Sequence, residues 1–277
     1  MIIDEDFTLL NGKKIPALGF GTWQIKEEDA EQACLTALKA GYRHIDTAQA
    51  YNNEEGVGRA IKKSGLKRED IYLTSKVKAE IKTYEKAKAS IEESLKKLDT
   101  PYIDLMLIHA PRPWVEMPLR LKRYFKENLE VWKAMEEAYQ AGKLKAIGVS
   151  NFQVDDLENI IDHSSTVPMV NQVRFFISQV PEDVLKFCLD KKIVVEGYSP
   201  IATGRLLKSK AIGKMAEKYS VSIPQLCIRY VYQRGALPLP KAVHEEHIIA
   251  NTKIDFTISQ EDMTALNNLK KQIIGAW

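Results

Sequence analysis

Four residues in the first 110 positions could together move a proton. Asp46 lies in HIDT (44–47), Tyr51 in DTAQAYNNE, Lys76 ends IYLTSK (71–76) and His109 ends IDLMLIH (103–109). A phenol titrates near ~10 and is a reluctant acid at neutral pH. An ammonium beside it favours the phenolate and lowers that value. Lys76 could play that part, with Asp46 as its counterion, and His109 could hydrogen-bond a carbonyl oxygen and orient it. Tyr51 then reads as the proton donor to a carbonyl. No side chain donates hydride, so reduction by this set requires a nicotinamide or a flavin. The glycine pairs Gly19/Gly21 and Gly56/Gly58 lack the third glycine of a dinucleotide fingerprint. A cofactor therefore needs another route, and Gly56 and Gly58 are expected to ease helix packing.

The elements that must hold these residues alternate. Asn11-Gly12 between apolar runs predicts a two-residue hairpin. Strands then follow over 17–22, 44–47, 71–76, 103–109, 145–150, 169–173, 193–199 and 236–240. Helices are expected over 28–41, 54–63, 84–98 (with Thr83 as N-cap), 127–141, 153–161, 182–190, 209–219, 223–233 and 244–250, with a final helix over 260–271. The strands are short and continuously apolar, as in sheets buried on both faces. Strict βα alternation implies a parallel sheet. Eight units in this length predict a (β/α)8 TIM barrel spanning 1–277 as a single domain. The N-terminal hairpin would cap its bottom, and an extra C-terminal helix would follow. An open doubly wound sheet is the competing arrangement. In a barrel, all four residues stand at the C-terminal mouth, where such enzymes keep their active sites. One long connection, 109–128, carries Pro111, Pro113 and Pro118 and is placed to shape a pocket.

Composition narrows the class. The chain has 277 residues, 45% of them hydrophobic, which suits a large core. Lys plus Arg is 40 against 37 for Asp plus Glu, a net charge of +3 that argues for neither nucleic acid nor membrane. Cys34, Cys188 and Cys227 lie in apolar helical contexts and read as buried free thiols, not disulfides or metal ligands. His244 and His247 have no third ligand at useful spacing, so no metal is expected. The start lacks a basic segment followed by an apolar run, and no stretch approaches the ~20 residues of a span. A cytoplasmic monomer is expected.

The segments LGFGTW, HIDTAQAYNNEEGVG, LTSKV, IDLMLIHAP, GKLKAIGVSNF, VNQV, GYSPIATG and LPLPKA, in this order, resemble the landmarks of the aldo-keto reductases. The likeness is to short-tailed bacterial members of the diketogluconate reductase-like kind. It implies NADP(H)-dependent reduction of an aldehyde or ketone, with Tyr51, Lys76, Asp46 and His109 as the tetrad. It also implies that Ser150, Asn151 and Gln172 hold the carboxamide and that Tyr198 stacks on the nicotinamide. Ser199 and Ile201 would lie along the pyrophosphate, with Gly21, Thr22 and Trp23 at the mouth. Lys241 would meet the 2′-phosphate and Asn251 the adenine. Trp23, Tyr51, His109, Ala110 and Trp114 would face the substrate. Family members often have Ser where this chain has Ala242, Arg at His247 and Glu at Ala250, so NAD(H) use is also expected. Ala110 replaces a Trp and would open the pocket wall, as would the short tail ending at Trp277. After VNQV the chain reads RFFISQ, where relatives carry an acid, an aromatic and His-Pro.

Two other functions fit the same residues. One is a Schiff-base aldolase with Lys76 as nucleophile. The other is a non-catalytic, cofactor-binding barrel.

Overall fold

The computed structural model describes residues 1–118 and 122–269. Its first sheet is a hairpin of β1 (Asp6–Thr8) and β2 (Lys14–Pro16). The turn has three residues, not the expected two. Leu9 N donates to Lys13 O, Gly12 N donates to Leu9 O, and only Gly12 is left-handed, at φ +79°. A two-residue type I′ turn would need Asn11 left-handed as well. Instead the Asn11 side chain is committed, accepting from Lys13 N and donating to Lys145 O.

Among the described residues, eight strands form one parallel sheet in sequence order. They are β3 (Gly19–Gly21), β4 (His44–Asp46), β5 (Tyr72–Val77), β6 (Leu105–Ile108), β7 (Ile147–Ser150), β8 (Val170–Arg174), β9 (Val194–Tyr198) and β10 (Leu237–Leu239). Gly21 N donates to Pro240 O at 2.9 Å, joining the first strand to the chain just beyond the last. The sheet is thus a closed (β/α)8 barrel, and the open alternative is excluded.

Between the strands run α1 (Glu27–Lys39), α2 (Glu54–Lys63), α3 (Tyr84–Lys97), α4 (Phe125–Gln140), α5 (Val154–His163), α6 (Glu182–Asp190), α7 (Lys210–Lys218) and α8 (Ile223–Gln233). After β10 come α9 (Glu245–Ala250) and the extra helix α10 (Gln260–Asn267). The last positions of the expected 260–271 helix, and the tail to Trp277, lie outside the described residues. Each helix buries one stripe: in α1, Ala30, Ala33, Cys34, Ala37 and Leu38 fall at helical spacing against the strands. Ser222 and Gln225 form a reciprocal capping box at the start of α8. Thr83 does hold the N-cap position of α3, but its side chain makes no capping bond.

Two apolar cores result. A large one separates strands from helices. A small one fills the barrel, where Leu9 and Ile15 of the hairpin pack on Leu105, Met169, Val194 and Leu237 at the strands' N-terminal ends. The hairpin is therefore a bottom plug, and the open end of the barrel is the opposite one. All three cysteines are free and buried. Among the described residues no helix is long and apolar enough to cross a membrane, and no cluster of three metal-ligating side chains is found.

Gly56 and Gly58 do ease packing. A Cβ on Gly58 would stand 2.5 Å from Leu98 O. Gly58→Ala should therefore cost about 1–3 kcal/mol of stability through overpacking. Denaturant titration checks this, and an unchanged midpoint would mean that α2 slides freely away from Leu98.

Candidate active site

Several strands end in polar side chains that turn into the barrel mouth, among them Asp46, Lys76, Ser150 and Gln172. Asp46 is the last residue of β4 and lies in register with Thr74 of β5. Lys76, two residues further along β5, points the same way because strand side chains alternate. Its Nζ donates to Asp46 Oδ1 and Oδ2 at 2.7 and 2.8 Å and to Thr47 O at 2.8 Å. Lys76 is fully buried. Burial disfavours its charge, but Asp46 outweighs this and the lysine is held above its ordinary pKa. An amine kept protonated is no nucleophile, so the geometry opposes a Schiff base at Lys76.

Tyr51 ends a short 3-10 turn, Gln49–Tyr51, closed by Asn52 at φ 55°. Buried amides fasten that turn. Gln49 Nε2 donates to Ser90 O and Ser94 Oγ, while Asn53 Nδ2 donates to Thr22 O and Ile25 O. The Tyr51 ring sits 5.0 Å from Lys76 Nζ and meets His109 edge-on at 5.5 Å. Its pKa is pushed up to about 12: burial raises it more than the Lys76 charge lowers it. Lys76 does pull the value down, as its position in the sequence implied, but burial outweighs it. Desolvation wins, and the phenol holds its proton firmly.

His109 follows β6 and donates its backbone N–H to Val77 O. Burial, aided by the Lys76 charge, drops its pKa well below the usual imidazole range, so it is neutral. The segment after it is pinned by Lys82, whose Nζ donates to Ala110 O at 2.9 Å and Asn128 Oδ1 at 2.8 Å. The Ala110 methyl is consequently buried and lines nothing. The expectation that Ala110 faces substrate and opens the wall is corrected. Trp114 stands there instead, edge-on to His109 at 5.2 Å and 86°.

Next round the barrel, Ser150 Oγ donates to Gln172 O, and Asn151 Nδ2 donates to Ser150 Oγ and His109 O. Tyr198 OH donates to Asn151 Oδ1 at 2.8 Å. Gln172 Nε2 donates to Asp46 Oδ2 at 2.8 Å and to Glu196 Oε2 at 2.7 Å. Both amide protons point inward, leaving the Gln172 oxygen for a ligand.

These groups open into a cavity of about 700 Å³. Gly21, Trp23, Asp46, Tyr51, His109, Trp114, Ser150, Asn151, Gln172, Tyr198, Ser199, Ile201 and Lys241 all line it. Thr22 does not: it is buried, with its hydroxyl on Asp46 O. Nor does Asn251, which is buried at the end of α9. Ala242 packs into the core, while His244 and His247 are exposed around the start of α9.

The cavity suits a dinucleotide. Amide and hydroxyl groups surround one end and an aromatic ring lies beside them. Beyond it, Ser199, Ala202, Thr203 and Gly204 all have φ between 51° and 86°. Such left-handed turns aim backbone N–H groups into concavities that suit anions.

Sequence reasoning missed Arg174, Thr203 and Gly204 on the cavity wall, and Glu196, fully buried behind Gln172. Glu196 carried a signal: it is a charge inside the strand run VVEGY, which has no other charged residue.

The Aldo/keto reductase family model matches residues 17–271. Glyoxal reductase of Bacillus subtilis is 40% identical over 97% of this chain and 94% of its own. A crystal structure of an aldo/keto reductase from Brucella melitensis superposes with a TM-score of 0.88 at 38% identity, covering 95% of this chain and 97% of that one. The Bombyx mori aldo-keto reductase solved with NADP gives 0.86 at 30% identity, covering 98% and 94%. Fold, site and matches agree that the chain belongs to the aldo/keto reductase family. It is accordingly an NADP(H)-dependent oxidoreductase of carbonyl compounds.

Burial of Glu196 pushes its carboxyl up to about 8, against an ordinary 4.5. The folded protein then binds a proton that the unfolded chain has released, so this contribution to stability is present below about pH 4.5 and is lost as pH rises to about 8. Relative to Glu196→Gln, the wild type should lose stability across that window with a slope of at most about 1.4 kcal/mol per pH unit. Parallel denaturation curves for the two proteins would refute this.

Proposed function

We propose that the chain works as a single barrel domain in which Tyr51 gives the proton that completes carbonyl reduction. The observation that carries this is the Lys76–Asp46 pair, buried directly behind the Tyr51 ring and beside a neutral His109. NADP(H), when bound, supplies the hydride. The protein supplies the rest. His109, as a neutral imidazole, offers an N–H to the carbonyl oxygen and adds no charge of its own. Tyr51 donates to the same oxygen, and the phenolate left behind rests against the Lys76 ammonium. Asp46 keeps that ammonium in place and prevents it from competing for substrate.

Ser150, Asn151 and Gln172 are the proposed holders of the carboxamide, Tyr198 the stacking ring, and Ser199 and Ile201 the pyrophosphate contacts. Lys241, exposed at the cavity edge, is the proposed 2′-phosphate contact, without a Ser at 242 or an Arg at 247 to help it. NADPH is therefore favoured, with NADH also used. Substrate is proposed to meet Trp23, Tyr51, His109 and Trp114. These walls suit a small aldehyde or ketone, the class that includes the glyoxal named for the Bacillus relative. The proposed working form is a cytoplasmic monomer, consistent with its balanced charge, with no nucleic-acid or membrane partner.

Tyr51→Phe should cut kcat for a simple aromatic aldehyde with NADPH by about 10²–10⁴-fold, the usual worth of a general acid, while NADPH binding by fluorescence is retained. A variant that reduces at the wild-type rate would remove Tyr51 from the mechanism. Parallel fluorescence titrations should show NADPH binding more tightly than NADH. Lys241→Ala should shrink the gap by about tenfold, since a hydrogen bond to a charged group is worth about 1.5–3 kcal/mol. Equal loss for both cofactors would place Lys241 elsewhere.

A further inference from the structure

Glu196 is a carboxyl group enclosed within the barrel, directly beneath the site, in the strand run IVVEGYS. One oxygen, Oε2, accepts from Gln172 Nε2, the same nitrogen that donates to Asp46 Oδ2. The other, Oε1, is buried with no hydrogen-bond partner, and its nearest basic atom is His44 Nε2 at 3.8 Å. That ring offers no charge: burial lowers the His44 pKa to about 3, and its Nε2 is already paired with Thr74 Oγ1 at 2.9 Å. A bare anionic oxygen there would be desolvated and uncompensated. A neutral acid removes that cost.

The groups facing Glu196 are few. From β4 come His44 and Asp46, and from β5 Lys76 and Tyr72, whose phenol burial pushes far up. From β8 comes the uncharged Gln172, and β10 places Leu237 in register beside it. The only cation in this set, Lys76, is already neutralised by Asp46. One more negative charge would leave the floor of the site with a net charge of its own.

We infer that Glu196 is a positioning residue: as a neutral acid it fixes the Gln172 amide and keeps the Lys76–Asp46 pair balanced, and its ionisation weakens proton donation by Tyr51. The inference rests on the reading of Tyr51 as donor. A negative floor makes the phenolate harder to form, so reduction slows when Glu196 loses its proton. One unit charge at roughly 10 Å and an effective dielectric near 20 changes a rate by about tenfold.

Rate and proton are measured separately. Wild-type kcat for aldehyde reduction with NADPH should fall about tenfold between about pH 7 and pH 9, whereas Glu196→Gln, an isostere of the neutral acid, keeps its neutral-pH rate. Infrared titration of the wild-type protein without added ligand should show a protonated-carboxyl band that disappears with the same midpoint and is missing from Glu196→Gln. If that variant folds poorly, the two wild-type midpoints alone decide, and a mismatch overturns the role. Superposed rate profiles for the two proteins also overturn it, leaving the proposed function standing. A wild-type protein that reduces no carbonyl at any pH overturns both, and the infrared band still reports whether Glu196 is neutral.

Discussion

The pairing of Lys76 with Asp46 in the dry interior of the barrel is the constraint around which this site is built. A buried ammonium or carboxylate alone is strongly unfavourable, so each is tolerable only with the other in place. Satisfying both fixes the register of β4 against β5 and brings Thr47 O to the ammonium. It also commits one face of Asp46 to Gln172, on the opposite wall of the barrel. A contact between neighbouring strands is thereby extended across the interior. The rest of the site follows outward from it: Gln172 turns its oxygen to the cavity, Ser150 bonds the Gln172 backbone, and Asn151 links Ser150, His109 and Tyr198.

The arrangement separates charge from chemistry. The Lys76–Asp46 pair lies deeper, and the groups proposed to meet substrate are neutral: a phenol raised by burial and an imidazole lowered by it. The same desolvation moves the two in opposite directions because one is charged when it loses a proton and the other when it gains one. In the proposed reaction a carbonyl oxygen would meet two neutral hydrogen-bonding groups, with the Lys76 ammonium held behind them by Asp46.

Much of this was legible in the sequence because strands end where apolar runs end, and residue type plus strand end is enough to place a mouth. Asp46, Lys76 and His109 were found that way, and the barrel itself came from βα rhythm. Other features depend on direction and depth, which a sequence does not carry. The side chain after His109 could have faced either way until Lys82 was seen to hold Ala110 O. The pKa of Tyr51 depends on how much water reaches it, not on which residues lie nearby in the chain. Glu196 looks like an isolated charge in an apolar run, and only the register Gln172↔Glu196 shows it beneath the site. The left-handed residues after Tyr198 include Ser, Ala and Thr, which give no turn signal of the kind glycine does.

The bottom plug has a consequence for how the chain comes into being. Leu9 and Ile15 leave the ribosome long before their partners Val194 and Leu237. Gly21 likewise waits for Pro240, and Ile2 N for Asp255. The nascent hairpin can form by itself, but it has nothing to close against during most of synthesis, and β3 keeps an unpaired edge through the same interval. Long-range closure of this kind is slow, and exposed strand edges invite association with other chains. The interval between making the first strand and the last is thus the period in which this barrel is most open to association with other chains.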